Sequence, residues 1–138
     1  MSNTETASLI LFDDFEPGVS LGQCTLAYDE TLARQWRHIF GNSQPATGQQ
    51  AEAASAAVIL MMRAFLTVVS PRPPGNIHAR QSLSFAALPK VGDDLLIRLE
   101  CQGKEIKRDR RYVELIARGY APDGSTLFQG MLTLIWAA

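Results

Sequence analysis

Apolar and polar positions change period several times along the chain, and each change marks an element. Leu9-Ile10-Leu11-Phe12 is a short apolar run closed by Asp13 to Gly18, with Pro17-Gly18 as a turn signal. Gly22 to Tyr28 is rich in strand formers and puts Cys24, Leu26 and Tyr28 on one face by the period of two. Asp29 then sits where a helix N-cap belongs, with Glu30 in the first turn. Leu32, Ala33, Trp36, Ile39 and Phe40 recur at helical spacing, Arg34, Gln35, Arg37 and His38 fall largely between them, and Gly41 suits the C′ position. This makes His38 a surface histidine of a short helix.

Asn42 to Gln50 reads as a polar loop. From Ala51 to Ser70 most positions are apolar, and between Ala53 and Val69 only Ser55, Arg63 and Thr67 stand apart from the Ala, Val, Ile, Leu, Met and Phe around them. A helix apolar nearly all round is a buried helix, here about 30 Å long at 1.5 Å per residue. Pro71, Pro73, Pro74 and Gly75 stop it. After the stop the period returns to two. Ile77 to Phe85 alternates with Ile77, Ala79, Leu83 and Phe85 on one face, Pro89 to Asp93 is a turn, and Asp94–Cys101, Arg111–Arg118 and Thr126–Trp136 read as further strands, the last two separated by Pro122-Asp123-Gly124. The order predicts an α+β domain spanning residues 1–138, an antiparallel sheet curled around one long helix. Each fully buried Leu, Ile, Met or Phe on that helix contributes roughly 1.5–3 kcal/mol.

Composition narrows the function. The chain has 138 residues, 46% hydrophobic and 20% charged, with a net charge of −1. That is an ordinary globular protein, with no global attraction to nucleic acid. The charge is uneven: residues 1–33 carry six acids and no Lys or Arg, whereas Lys104 to Arg111 holds five basic residues against two acidic ones. Such a run is a solvated hairpin that guards a sheet edge, or a cradle for an anionic cofactor such as the phosphates of coenzyme A. Cys24 and Cys101 are far apart and offer neither zinc spacing nor a disulfide framework, so no metal is expected. The first residues lack a basic leader region. The longest uninterrupted apolar stretch, Ala56 to Met62, falls short of the roughly 20 residues that span a bilayer. A soluble, cytoplasmic protein without membrane association is expected.

Phe15-Glu16-Pro17-Gly18, the helix ending in Gly41, Leu88-Pro89-Lys90-Val91-Gly92-Asp93 and the run from Gly124 through Gly130-Met131-Leu132-Thr133-Leu134 together resemble the MaoC-like hydratase/dehydratase family, from about Phe12 to Trp136. The resemblance implies the hotdog fold and an acyl thioester, carried by coenzyme A or acyl carrier protein, as substrate. No other cofactor is implied. In that family the loop after the first helix reads Gly-Asp-x-Asn-Pro-x-His, and its Asp and His move the protons of hydration. Here the run is Gly41-Asn42-Ser43-Gln44-Pro45-Ala46-Thr47. Gly41 and Pro45 keep the frame, but Asn42 and Thr47 replace the Asp and His. An amide is no general base at neutral pH, and positioned proton transfer is worth about 10²–10⁴-fold.

The substituting candidates are His78, at the start of the strand after the long helix, which either faces the pocket or stands at an edge or subunit interface, and Glu52, in the first turn of that helix, where it suits dipole complementation or thioester hydrolysis. Gln44, Pro45 and Gln50 are expected to contact substrate, with Gln49 an alternative amide. Arg72, Arg80, Lys104, Lys107 and Arg108 are expected to rim the carrier's phosphates. Three readings stay open: a hydratase with a rearranged site, a non-catalytic subunit pairing with an active MaoC-like relative, and a thioesterase using Glu52. Exposed strand edges predict pairing into a homodimer, a dimer of dimers, or a hetero-oligomer with that relative.

Overall fold

In the computed structural model, which describes residues 8–41 and 46–138, five strands form one antiparallel sheet in the order β1-β3-β4-β5-β2. The strands are β1 (Ser20–Ala27), β2 (Ile77–Phe85), β3 (Asp94–Lys107), β4 (Arg110–Tyr120) and β5 (Thr126–Trp136), and the helices are α1 (Glu30–Phe40) and α2 (Ala46–Val68). β1 and β2 are the two edges.

The caps read from the sequence are in place. Asp29 Oδ1 accepts from the Leu32 amide at 2.8 Å, and Gly41 closes α1 at φ +84°, its amide donating to the Arg37 carbonyl. α2 begins at Ala46, five residues earlier than its apolar pattern begins. The extra turn contains Gly48, Gln49 and Gln50, polar or small residues that carry no hydrophobic period, so the expected polar loop is shorter than read. At the other end Arg72 Nη1 takes up the free Leu66 and Val69 carbonyls at 2.9 and 2.7 Å and stacks over Phe65. A cation at a helix C-terminus also complements the dipole.

α2 lies against β1 and β3 and is covered on one side only. Ala56, Ala57, Leu60, Met61, Ala64 and Phe65 are buried, whereas Leu66 is 47% exposed and Val58, Ile59 and Met62 are half-buried. This corrects the expectation of a helix buried all round: a single sheet covers one face of a cylinder. Gly48–Val68 also has the length and hydropathy of a membrane span, with 39% of its most apolar stretch buried inside the protein. Counting uninterrupted apolar residues missed this, because Ser55, Arg63 and Thr67 break the run.

The inner face of the sheet supplies Leu95, Ile97, Leu99, Cys101, Val113, Leu115, Leu132 and Leu134, all buried. A strap from Ile10 to Phe15 closes one end. Phe15 meets Trp136 edge to face at 4.8 Å, and Trp136 Nε1 donates to the Ile10 carbonyl at 2.9 Å. The apolar run at Leu9–Phe12 leads into a single 3₁₀ turn, Phe12–Asp14, and forms no strand.

β3 and β4 run further than their apolar residues suggest and meet in a two-residue turn with Arg108 at φ +52° and Asp109 at φ +63°. Two successive positive φ values give the primed turn that matches strand twist. A bulge between His78 and Arg80 changes the face of β2. Leu83 pairs with Gly130 on the inner side, while Ile77 pairs with Ile135 on the outer side and is 54% exposed. The sequence had placed Ile77 and Leu83 on one face, because a bulge is invisible to a strict period of two.

Candidate functional site

Two helices and the end of β1 build a buried polar cluster on the α2 side of the sheet. Glu52 is the seventh residue of α2, one turn deeper than a first-turn acid, and only 5% exposed. The helix dipole fades within the first turn, so its counter-charge comes from α1. Arg37 Nε lies 3.0 Å from Glu52 Oε1. The N–H is not aimed at that oxygen, and Oε1 has no hydrogen-bond donor among the described residues. Trp36, the neighbour of Arg37, has a buried Nε1–H that likewise lacks an acceptor among the described residues. Trp36 also packs against Phe40 at 5.0 Å, and Phe40 and Ile39 are 67% and 72% exposed at the end of α1.

One orphan donor on α1 and one orphan acceptor on α2 are thus buried among the described residues. Leaving a buried polar group unpaired costs about 1–3 kcal/mol. A ligand carrying both an acceptor and a hydroxyl would relieve both. The sequence read Trp36 only as part of the apolar stripe of α1 and Arg37 as a polar residue between stripe positions. Neither reading signals the contact of Arg37 with Glu52 or the buried Nε1–H of Trp36.

Tyr28, 2% exposed, belongs to the same cluster. Burial pushes its phenol above the ordinary value of 10.0, and the Glu52 charge adds to this, while Arg37 opposes it. A raised folded pKa means the folded chain keeps a proton that the unfolded chain releases above pH 10, so stability falls as pH rises from there. The unfolding midpoint should therefore decline in alkali, and Tyr28→Phe should flatten part of that decline. An identical alkaline slope in Tyr28→Phe would remove Tyr28 from the account. Cys24 and Cys101, also raised by burial, contribute from about pH 9 in both proteins.

Asn42, Gln44 and Pro45 lie outside the described residues, and Thr47 is placed only as the second residue of α2. Gln50 is exposed on α2. His38 is exposed on α1, as expected, and His78 is exposed on the edge strand β2, not in the Glu52 cluster. Of the five cations expected to rim a phosphate, Arg72 caps α2, Arg108 stands at the β3–β4 tip, and Arg80, Lys104 and Lys107 line one groove on the sheet. Lys104 Nζ is partly committed there, donating to the Phe12 carbonyl at 3.1 Å over the Phe12 ring. Among the described residues no group of His, Cys, Asp and Glu is arranged to hold a metal.

No protein-family model and no curated protein matches this chain. Solved structures do. The (R)-hydratase PhaJ1 from Pseudomonas aeruginosa is 24% identical, with a TM-score of 0.72 over 93% of this chain and 86% of that one. A MaoC-like dehydratase from Rhodospirillum rubrum is 15% identical, with a TM-score of 0.75 over 94% and 98%. The 3R-hydroxyacyl-ACP dehydratase complex HadBC from Mycobacterium tuberculosis is 16% identical, with a TM-score of 0.63 over 81% and 90%. These likenesses show that the chain has the α+β hotdog fold of MaoC-like dehydratases and (R)-hydratases.

Proposed function

We propose that this chain binds 3-hydroxyacyl and enoyl thioesters as a hydratase-type hotdog subunit, and that a second, MaoC-like hotdog chain supplies the proton transfer. The observation that carries the reading is the pair of buried orphan groups, one on α1 and one on α2. Trp36 Nε1–H suits a thioester carbonyl, and Glu52 Oε1 suits a 3-hydroxyl. The same carboxylate lies beside the Arg37 guanidinium, with Nε 3.0 Å from Oε1. Asn42 and Thr47 stand where the hydratases that the sequence resembles carry their Asp and His. The exposed edge strand β2, with Ile77 and Phe85 open to solvent, offers the second chain a place to pair. HadBC, among the similar structures, is itself a complex.

Binding and turnover of a short-to-medium acyl-CoA panel by the purified chain test this. Binding of 3-hydroxyacyl-CoA without hydration of the enoyl-CoA partners is expected. Trp36→Phe should weaken binding of every thioester by roughly three- to tenfold, the worth of one hydrogen bond, and Glu52→Gln should weaken only the 3-hydroxyacyl members. Asn42→Asp with Thr47→His should introduce measurable hydration. Wild-type turnover without any partner would overturn the division of labour, and absence of thioester binding would overturn the whole reading.

Glu52 favours one other reading, because a desolvated carboxylate oxygen without a donor also suits thioester hydrolysis as base or nucleophile. Release of free coenzyme A by the wild type and its loss in Glu52→Gln would mark this. Hydrolysis surviving in Glu52→Gln would end it.

A further inference from the structure

Two β-bulges fall at the same level of the sheet, one between Cys101 and Gly103 in β3 and the other between His78 and Arg80 in β2. Between them Gly103, Glu114, Thr133 and Arg80 form one continuous cross-strand row. The adjoining row contains Val113 and Leu134, both buried toward α2, so this row faces outward, away from α2. Gly103 leaves a gap there: a Cβ at that position would meet nothing within 4 Å. The result is a groove of about 620 Å³ on the outer face, within the size range of small-molecule sites. Bulges beside a site re-aim side chains and are kept for that reason.

We propose that this groove binds a ribonucleoside phosphate. Arg80 lines it from β2 and Lys107 from the end of β3, and these two supply positive charge for a phosphate, since Lys104, which also lines it, donates to the Phe12 carbonyl. Glu105 and Glu114 also line it, and none of Arg80, Lys107, Glu105 and Glu114 forms an ion pair among the described residues. Two unpaired carboxylates disfavour a bare inorganic anion and accept from hydroxyls, as a ribose offers. Tyr112 presents an aromatic ring for a base. An amino acid would fill only a small part of the groove, and a fatty acyl chain would find it too polar. The assignment is independent of the thioester reading, because Trp36 and Glu52 lie on the other face of the sheet.

Calorimetric titration of the purified chain with ADP, coenzyme A and pyrophosphate tests it. ADP is expected to bind, and pyrophosphate to bind at least about tenfold more weakly. Coenzyme A binding tighter than ADP would identify the ligand as a thioester carrier's nucleotide, and ADP binding as tightly or tighter would identify a free nucleotide. Gly103→Leu fills the floor of the groove at a position with no neighbour and no positive φ, so it should fold normally and lose at least about tenfold in ADP affinity. Arg80→Glu and Lys107→Glu should do the same. No ADP binding at millimolar concentration would overturn the proposal. So would ADP affinity unchanged in Gly103→Leu and Arg80→Glu, or pyrophosphate binding as tightly as ADP.

Discussion

Gly119→Ala is expected to cost about 3 kcal/mol of folding stability, and Gly130→Ala about 1 kcal/mol, although each introduces one methyl group. Gly119 on β4 pairs in register with Phe128 on β5, and the ring lies across the glycine, with Cδ1, Cε1 and Cζ where a new Cβ would stand. Phe128 is fully buried and packs near Phe85 at 6.3 Å. A planar, fully buried ring hung on only two rotatable bonds cannot turn aside without opening a void or pushing β4 and β5 apart. Gly130 faces Met61 of α2, whose Sδ stands where its Cβ would go. Methionine has three rotatable bonds and a soft thioether, so Met61 can fold its end elsewhere. Urea unfolding of the two variants should place Gly119→Ala well below Gly130→Ala, with unchanged slopes. Equal losses would mean the sheet yields at both positions, and rigidity of the Phe128 ring would not be what fixes Gly119.

The difference between these two glycines also marks what a one-dimensional pattern can carry. Asp29, Gly41 and the prolines after Ser70 act on backbone within a few residues of themselves, so their roles were legible, and α1 and the end of α2 follow the sequence reading. Period two located all five strands, because alternation survives wherever one face is buried. It misplaced Ile77 because the bulge after His78 adds one residue and reverses the face. The start of α2 was missed since Gly48, Gln49 and Gln50 are chosen by neither face. The candidate site was legible as residue types but not as partners. Glu52 was visible as a carboxylate near a helix start, yet its link to Arg37 joins two helices and has no signature in spacing. The phosphate rim was read from a charge run with Arg72 and Arg80 added, and Arg72 was then drawn away by two helix carbonyls while Arg80 joined Lys107 across the two strands between them.

Arg37→Met is expected to destabilise the fold by about 2–3 kcal/mol, more than Glu52→Gln at about 1 kcal/mol, with the double variant no worse than Glu52→Gln alone. Removing Arg37 leaves Glu52 as a buried charge with no counter-ion, the costly half of any buried pair. Removing the Glu52 charge leaves a guanidinium whose side chain is 37% exposed and can turn to water, which is also why the larger figure stays below that of a fully buried pair. With both charges gone nothing is stranded. Denaturant midpoints of the three variants give the coupling directly, and a loss in Arg37→Met no larger than in Glu52→Gln would show that the pair does not hold the helices together. The cycle also separates structure from recognition. In the double variant stability is largely restored while the carboxylate is still absent, so selectivity for 3-hydroxyacyl over saturated thioesters should stay lost. If that selectivity returned with stability, Glu52 would matter only as a strut between α1 and α2, and the hydroxyl would have to be read elsewhere.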